Sequence, residues 1–312
     1  MGYYIGLDTS NYTTSAAAVP AVTGALCQVK QLLPVKAGER GLRQSDAVFH
    51  HVRQLPKLLE QLFADIGAQP VTAVGVSDRP TEADGSYMPC FLAGEGTARA
   101  LAAALGCPLY RFTHQQGHVM AALYGAGKPE LRHAPFLAFH VSGGTTEALL
   151  VSPQEESVIS CRTVARSLDL KAGQLIDRVG GMLGLPFPAG PALDKLSLEA
   201  AAIRPPRPSA EGADCHLSGL ENRCRRLLDD GTAPAEVARF CLAGIEAALV
   251  NMTEQLQKEY GTLPVVYAGG VMSNTLLRAS LTDKFGGVFA PPAFSADNAA
   301  GIAILTNLRG DC

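Results

Sequence analysis

An α/β fold made of two similar lobes is what this sequence predicts, and three observations carry the prediction. The segment Phe136 to Val151, FLAFHVSGGTTEALLV, is an apolar run of strand formers, a small hydroxyl-rich turn and a second apolar run. Near the N-terminus YYIGLDTSNYTTSAAAV repeats the layout, and each copy is followed by a further strand-like piece, GALCQV or SVISCRTV, and then by a helical pattern. With 312 residues, 47% of them hydrophobic, the chain exceeds the usual size of one core.

The elements follow in order. Ser45 to Ile66 reads as a helix with apolar residues at helical spacing, capped by Ser45 or Asp46 and kinked or split by Pro56. On it His50, His51 and Arg53 are candidates to face a ligand. The strand VTAVGVSD, the turn-rich loop RPTEADGSYMP and a small-residue helix from Gly94 to Leu105 come next. A short strand then leads into a helix carrying His114 and His118. Beyond the central hairpin, DLKAGQLIDRVGGMLGLPFPAGPALDKLS reads as helix, Gly/Pro loop, helix, and Ala233 to Tyr260 as a long amphipathic helix. VVYAGGVMSNTLLRASL is a buried strand, a glycine pair and a helix capped by Ser273 or Asn274. A small-residue helix closes the chain, with Asp297 at its first turn.

The candidate chemistry lies at the turns. Gly143 and Gly144, beside Ser142, carry no side chain to hold a ligand away, so backbone N–H groups could close around phosphate oxygens there. Gly269 and Gly270 end a strand before a helix, a place suited to an anion or a ribose and equally to a tight turn. Asp177 sits on a helix and Gly190 in the PAGP turn, where backbone can approach a ligand. His114 and His118, at i and i+4, share one helix face and can bind one metal ion, or can be two polar residues near a helix start. Asp297 is either a cap or a third ligand. The spacing is that of the HExxH zinc peptidases, but position 115 is Gln, which cannot act as the general base, so that peptidase mechanism is excluded.

Net charge is −3, from 26 basic and 29 acidic residues, so a nucleic-acid partner would have to meet a local patch; Arg223, Arg225 and Arg226 form the densest one. The eight cysteines are spread singly with no CxxC pair, which points to reduced thiols. No secretion signal or long uninterrupted apolar stretch stands out, and the expectation is a cytoplasmic protein with no membrane partner.

Taken together the segments resemble the TsaD family of tRNA threonylcarbamoyladenosine synthases, once described as glycoproteases. HQQGH resembles the family's HxxGH, HVSGGTTE its LVSGGHT, AGQLIDRVGGMLGLPFPAGP its AGEAFDKxAxLLGLxYPGGP, HLSGL its FSGLK, AGGVMSN its AGGVxAN, and FSADNAAGIA its CTDNGAMIA. The resemblance implies a two-lobed actin-like, sugar-kinase-like ATPase fold of ribonuclease-H-like topology with a cleft between lobes. Residues 1–130 with 295–312 would make the first lobe and 131–294 the second. It also implies a transferase without a covalent nucleophile that moves a threonylcarbamoyl group from threonylcarbamoyl-adenylate to the exocyclic amine of a tRNA adenosine, releasing AMP. His114, His118 and Asp297 would hold one divalent ion, iron or zinc. Ser142, Gly143, Gly144, Asp177, Gly190, Gly269, Gly270 and Asn274 would surround the adenine nucleotide or adenylate. tRNA, a smaller paralogue and an ATPase subunit would be the partners.

The chain departs from the family pattern around the expected cleft. The family's ETSCDET is Asp8-Thr9-Ser10-Asn11-Tyr12-Thr13-Thr14 here, its glycine-rich loop after the next strand is replaced by the region of Asp78, Arg79 and Pro80, and Thr145, Gln174 and Glu221 replace a His, a Glu and a Lys. Two alternatives follow: a paralogue that binds ATP or an adenylate and acts on another acceptor, or a non-catalytic partner subunit.

Overall fold

The computed structural model describes residues 2–10, 12–22, 25–34, 42–294 and 299–310. In chain order it contains β1 (Tyr3–Asp8), β2 (Thr13–Pro20), β3 (Cys27–Leu32), α1 (Gln44–Ile66), β4 (Val71–Arg79), α2 (Phe91–Leu105), β5 (Leu109–Thr113) and α3 (His114–Gly125). Then come β6 (Phe136–Val141), β7 (Thr146–Gln154), β8 (Val158–Arg166), α4 (Ala172–Met182), α5 (Gly190–Ser197), a small ribbon of β9 (Ser209–Glu211) and β10 (Asp214–His216), and α6 (Ser218–Asp229). The chain continues through α7 (Pro234–Tyr260), β11 (Val265–Ala268), α8 (Thr275–Phe285), β12 (Val288–Phe289) and α9 (Ala300–Gly310).

Two five-stranded sheets repeat one plan. The first has the order β3-β2-β1-β4-β5 and the second, read from the other edge, β8-β7-β6-β11-β12. In the first, β1 to β3 pair antiparallel while β4 and β5 add in parallel; in the second, β6 pairs antiparallel with β7 and parallel with β11. The repeated strand, turn, strand pattern of the sequence is the start of each meander. Contacts group the chain into two compact units, Met1–Ala134 with Ser152–Arg162 and Ala293–Cys312, and Pro135–Val151 with Thr163–Pro292.

Within the first unit Ile5, Leu7, Val74 and Val76 from neighbouring strands meet Leu55, Leu58 and Leu62 of α1 in one core. Of the two expectations at Pro56, a kink or a split, the split does not occur: α1 continues through Pro56 as one helix. Pro56 lies on the exposed face, and Val52, whose carbonyl loses its partner, is exposed as well, so water can satisfy it. Nor is a Ser or Asp the cap: Arg43 takes that place without a side-chain bond, and Asp46 sits in the first turn, where a negative charge suits the helix dipole. Helix α9 packs on β1, β2 and β4 through small residues, and a Cβ at Gly6 would fall 2.3 Å from Ala303 N.

In the second unit Leu137, Phe139 and Val141 of β6 pack with Leu175 of α4, Leu193 of α5, Leu242 and Leu249 of α7 and Tyr267 of β11. Among the described residues seven cysteines are free thiols, and no helix is long and apolar enough to cross a membrane.

Candidate functional site

The histidine cluster of the first unit forms where β1, β4 and α3 end or begin together. Strands β1 and β4 lie side by side in parallel, and their C-terminal ends present Asp8 and Ser77. Helix α3 starts immediately after β5. Thr113 caps it by accepting from Gln116 N at 3.1 Å, and Gln116 Oε1 accepts from Thr113 N at 2.7 Å. The cap fixes the turn that bears His114. One turn on, His118 brings its ring to a centroid distance of 4.3 Å from that of His114, at 76°.

Asp8, 0% exposed, is held on both oxygens. Its Oδ1 accepts from the Ser77 hydroxyl and pairs with His114 Nδ1 at 3.0 Å, while Oδ2 accepts from Ser10 Oγ at 2.8 Å. A carboxylate so deep in a protein needs such donors. Nearby, Thr9 Oγ1 accepts from Gly94 N at 3.1 Å and donates to the Cys90 carbonyl at 3.0 Å, tying the loop after β1 to α2.

Gln116 falls between the two histidines in the chain and is buried. Its Nε2 has three acceptors in reach, Glu82 Oε1 at 2.8 Å, the Ile159 carbonyl at 2.7 Å and Ser157 Oγ at 3.1 Å. Glu82, from the turn-rich loop after β4, also accepts from Cys161 N at 2.6 Å. That loop contributes a brace for α3 through Glu82.

Of the α1 candidates, His51 is fully buried rather than facing a ligand. Its Nδ1 lies 2.8 Å from Thr14 Oγ1, which donates to Gln54 Oε1 at 2.6 Å, so Nδ1 carries the proton. Burial, opposed in part by the Asp8 carboxylate and assisted by His50, holds the His51 pKa at about 4. Arg53 stacks over Phe49 at 5.4 Å.

The second unit holds a cavity of about 550 Å³ whose walls include Gly143, Asp177, Gly190, Asp194, Gly270 and Asn274. Asn274 caps α8 by accepting from Leu276 N at 3.1 Å and Leu277 N at 3.0 Å. Asp194 accepts from Thr275 N at 3.1 Å and Thr275 Oγ1 at 2.9 Å, fastening α5 to the start of α8. Asp177 Oδ1 accepts from Ala189 N at 2.8 Å and holds the loop that leads to Gly190. Ser142, Gly144 and Gly269 are not among the walls. Ser142 Oγ accepts from Thr145 N at 3.1 Å and Gly144 N at 3.3 Å, so two of the N–H groups expected to meet phosphate are spent inside the turn. Gly269 has φ of 102°, and a Cβ there would lie 2.2 Å from the Val141 carbonyl oxygen, so it serves the strand-to-helix turn.

Among the described residues no group of three or more His, Cys, Asp or Glu side chains is arranged to hold a metal ion. His114 and His118 supply two imidazoles on one helix face, a donor set that fits a divalent ion with further ligands from elsewhere. Asp297, the expected third ligand, lies outside the described residues. Of the basic cluster, Arg223 stacks over Phe240 at 4.8 Å and Arg225 pairs with Glu221 at 3.7 Å.

Two α/β units with one repeated sheet plan place the chain in the actin-like ATPase fold class, and solved structures agree. Component A of (R)-2-hydroxyglutaryl-CoA dehydratase from Acidaminococcus fermentans superposes over 100% of both chains with a TM-score of 0.57 at 14% identity. The ROK hexokinase of Thermus thermophilus gives a TM-score of 0.51 at 17% identity over 99% of this chain and 97% of that one. Full-length HypF gives 0.61 at 12% identity, over 99% of this chain and 55% of its own. At those identities the likeness shows the fold.

The sequence narrows the class. The model of the TsaD family, tRNA N6-adenosine threonylcarbamoyltransferase, matches residues 35–304. A Bacillus licheniformis tRNA N6-adenosine threonylcarbamoyltransferase is 32% identical, covering 96% of this chain and 90% of its own length. The chain belongs to the TsaD family, which makes it a transferase of the tRNA-modifying class and not a peptidase.

Proposed function

We propose that the chain transfers a threonylcarbamoyl group from threonylcarbamoyl-adenylate to the exocyclic N6 amine of a tRNA adenosine, and that the cavity of the second unit seats the adenylate's nucleoside. The observation that carries this reading is the wall chemistry. Gly143, Gly190 and Gly270 each have open space where a Cβ would stand, so neither packing nor turn geometry asks for glycine there. That open space leaves room for a ligand to approach the backbone closely along the cavity wall. Asp177 and Asp194 are the charged residues of the walls, and none of the wall residues is cationic. Two carboxylates suit sugar hydroxyls, which donate, and repel phosphate; the nucleoside end belongs among them.

In the reaction the adenosine N6 bonds to the carbamoyl carbon, the bond from that carbon to the phosphate oxygen breaks, and AMP leaves with the electron pair while the amine gives up a proton. Asp177 and Asn274 orient the nucleoside and the glycine walls bring backbone against it, so binding energy is applied away from the reacting carbon. A divalent ion, iron or zinc, would be held by His114 and His118, with Asp297 as the third ligand. When bound it supplies Lewis-acid polarisation of an acyl oxygen. tRNA as acceptor, a smaller paralogue and an ATPase subunit as partners, and a cytoplasmic setting complete the reading, supported by family membership.

The test is direct. Purified chain with its partner subunits, given threonylcarbamoyl-adenylate and unmodified tRNA, should release AMP and form threonylcarbamoyladenosine in equal amounts. AMP release with the tRNA left unmodified would overturn the acceptor.

A further inference from the structure

We infer that Asp8 is a positioning residue for the metal-binding pair: its buried carboxylate sets the tautomer and ring orientation of His114 so that Nε2 is the nitrogen presented to the ion. The inference rests on the reading that His114 and His118 hold a metal.

Both Asp8 oxygens already accept hydroxyl protons, from Ser77 and Ser10, so Oδ1 faces His114 Nδ1 at 3.0 Å as an acceptor, which puts the proton on Nδ1 and the ring's lone pair on Nε2. A divalent ion binds the lone-pair nitrogen, and a carboxylate on the opposite N–H makes that nitrogen more basic. Asp8 is itself immobilised. It ends β1 at 0% exposure, and hydroxyls of Ser77 and Ser10 reach its two oxygens. Ser77 comes from the neighbouring parallel strand, so the sheet fixes the carboxylate and the carboxylate fixes the imidazole. The backbone under His114 is fixed separately by the Thr113–Gln116 cap. A plain structural role, in which Asp8 merely satisfies two buried hydroxyls, would leave the tautomer of His114 unaffected by its removal.

That difference is measurable without activity. In metal-free, 15N-labelled protein, long-range 1H–15N spectra of the imidazoles should show His114 as the Nδ1–H tautomer, and in Asp8→Asn as a mixture or as Nε2–H. Titration with Co2+, read by its visible absorption, should show binding weakened about 10- to 100-fold in Asp8→Asn. If Asp8→Asn does not fold, Ser77→Ala, which removes one of the hydroxyls holding the carboxylate, should show the same two changes in smaller measure. A folded variant whose His114 tautomer or Co2+ affinity matches wild type overturns the inference. Failure of the wild-type chain to bind Co2+ would instead remove the metal reading, and this inference with it.

Discussion

The histidine cluster of the first unit is made of side chains, and the cavity of the second is made largely of their absence. Asp8 meets His114, Ser10 and Ser77 hold Asp8 by their hydroxyls, and Gln116 closes the cap of the helix that bears His114. Around the cavity stand Gly143, Gly190 and Gly270, at which an added Cβ would meet nothing within 4 Å. The contrast extends to the meaning of glycine itself. Gly117, in the HQQGH stretch of the first unit, is packed: a Cβ on it would lie 2.8 Å from Ile302 Cδ1, and one on the facing Gly301 would lie 1.8 Å from the Gly117 carbonyl oxygen. Glycine in one region lets two helices touch, and in the other it leaves room that the protein alone does not use.

The largest effect expected from breaking this contrast lies at the helix contact. Gly301→Ala pushes a methyl into the backbone of α3, which cannot retreat as a flexible side chain would, and should cost about 3 kcal/mol of stability by the penalty for overpacking. Urea denaturation of the full chain measures it. A variant as stable as wild type would show that α3 and α9 do not pack as closely as their glycines suggest.

A second consequence follows from building with polar side chains, which titrate. His51 has a pKa near 4 in the folded protein against 6.5 for the free side chain, so on acidification the unfolded chain takes up the proton first. The stabilisation is complete above pH 6.5, declines as pH falls through the window between the two values, and is gone below about 4. With 1.36 kcal/mol per pKa unit over the difference between 6.5 and about 4, it amounts to at most about 3–4 kcal/mol. The difference in unfolding free energy between wild type and His51→Gln, followed over that window, isolates the term from the other carboxylates and histidines. A constant difference would mean that the His51 imidazole is as easily charged as one in water.

The same contrast explains what could be read from the chain before its structure. A cavity walled by glycines announces itself in sequence, because SGG, PAG and AGG interrupt apolar runs where the fold turns, and Gly143, Gly190, Gly270, Asp177 and Asn274 do share one cavity. The paired meanders were legible for the same reason. The bracing of the histidines was not. Asp8, Ser77, Glu82 and Gln116 come from four segments, and only the parallel pairing of β1 with β4 brings the first two together. One signal was available: both strands are apolar runs that end in a charged or hydroxyl residue, YYIGLD and VTAVGVSD, and an acid that finishes a buried strand must find donors. Whether Pro56 would split α1 was not legible, because a proline's cost depends on which face it occupies, and exposure at Pro56 is a property of the fold.

The smallest effect on stability is the sharpest test of the cavity. Gly270→Ala puts a methyl into open space at a residue whose φ is not in the left-handed region, so the folded protein has no reason to resist it. Its stability should change by less than about 0.5 kcal/mol, and the sign can favour the variant, since alanine loses less backbone freedom on folding. Nucleotide binding should respond differently. A methyl on the wall occupies the space through which a nucleoside would touch backbone, and AMP affinity measured by calorimetry should fall about tenfold, equivalent to about 1.4 kcal/mol. The stability measurement on the same sample separates the two outcomes. Unchanged stability with unchanged AMP affinity would mean that the open glycines have no nucleotide to accommodate, and the adenylate would have to be sought away from these walls.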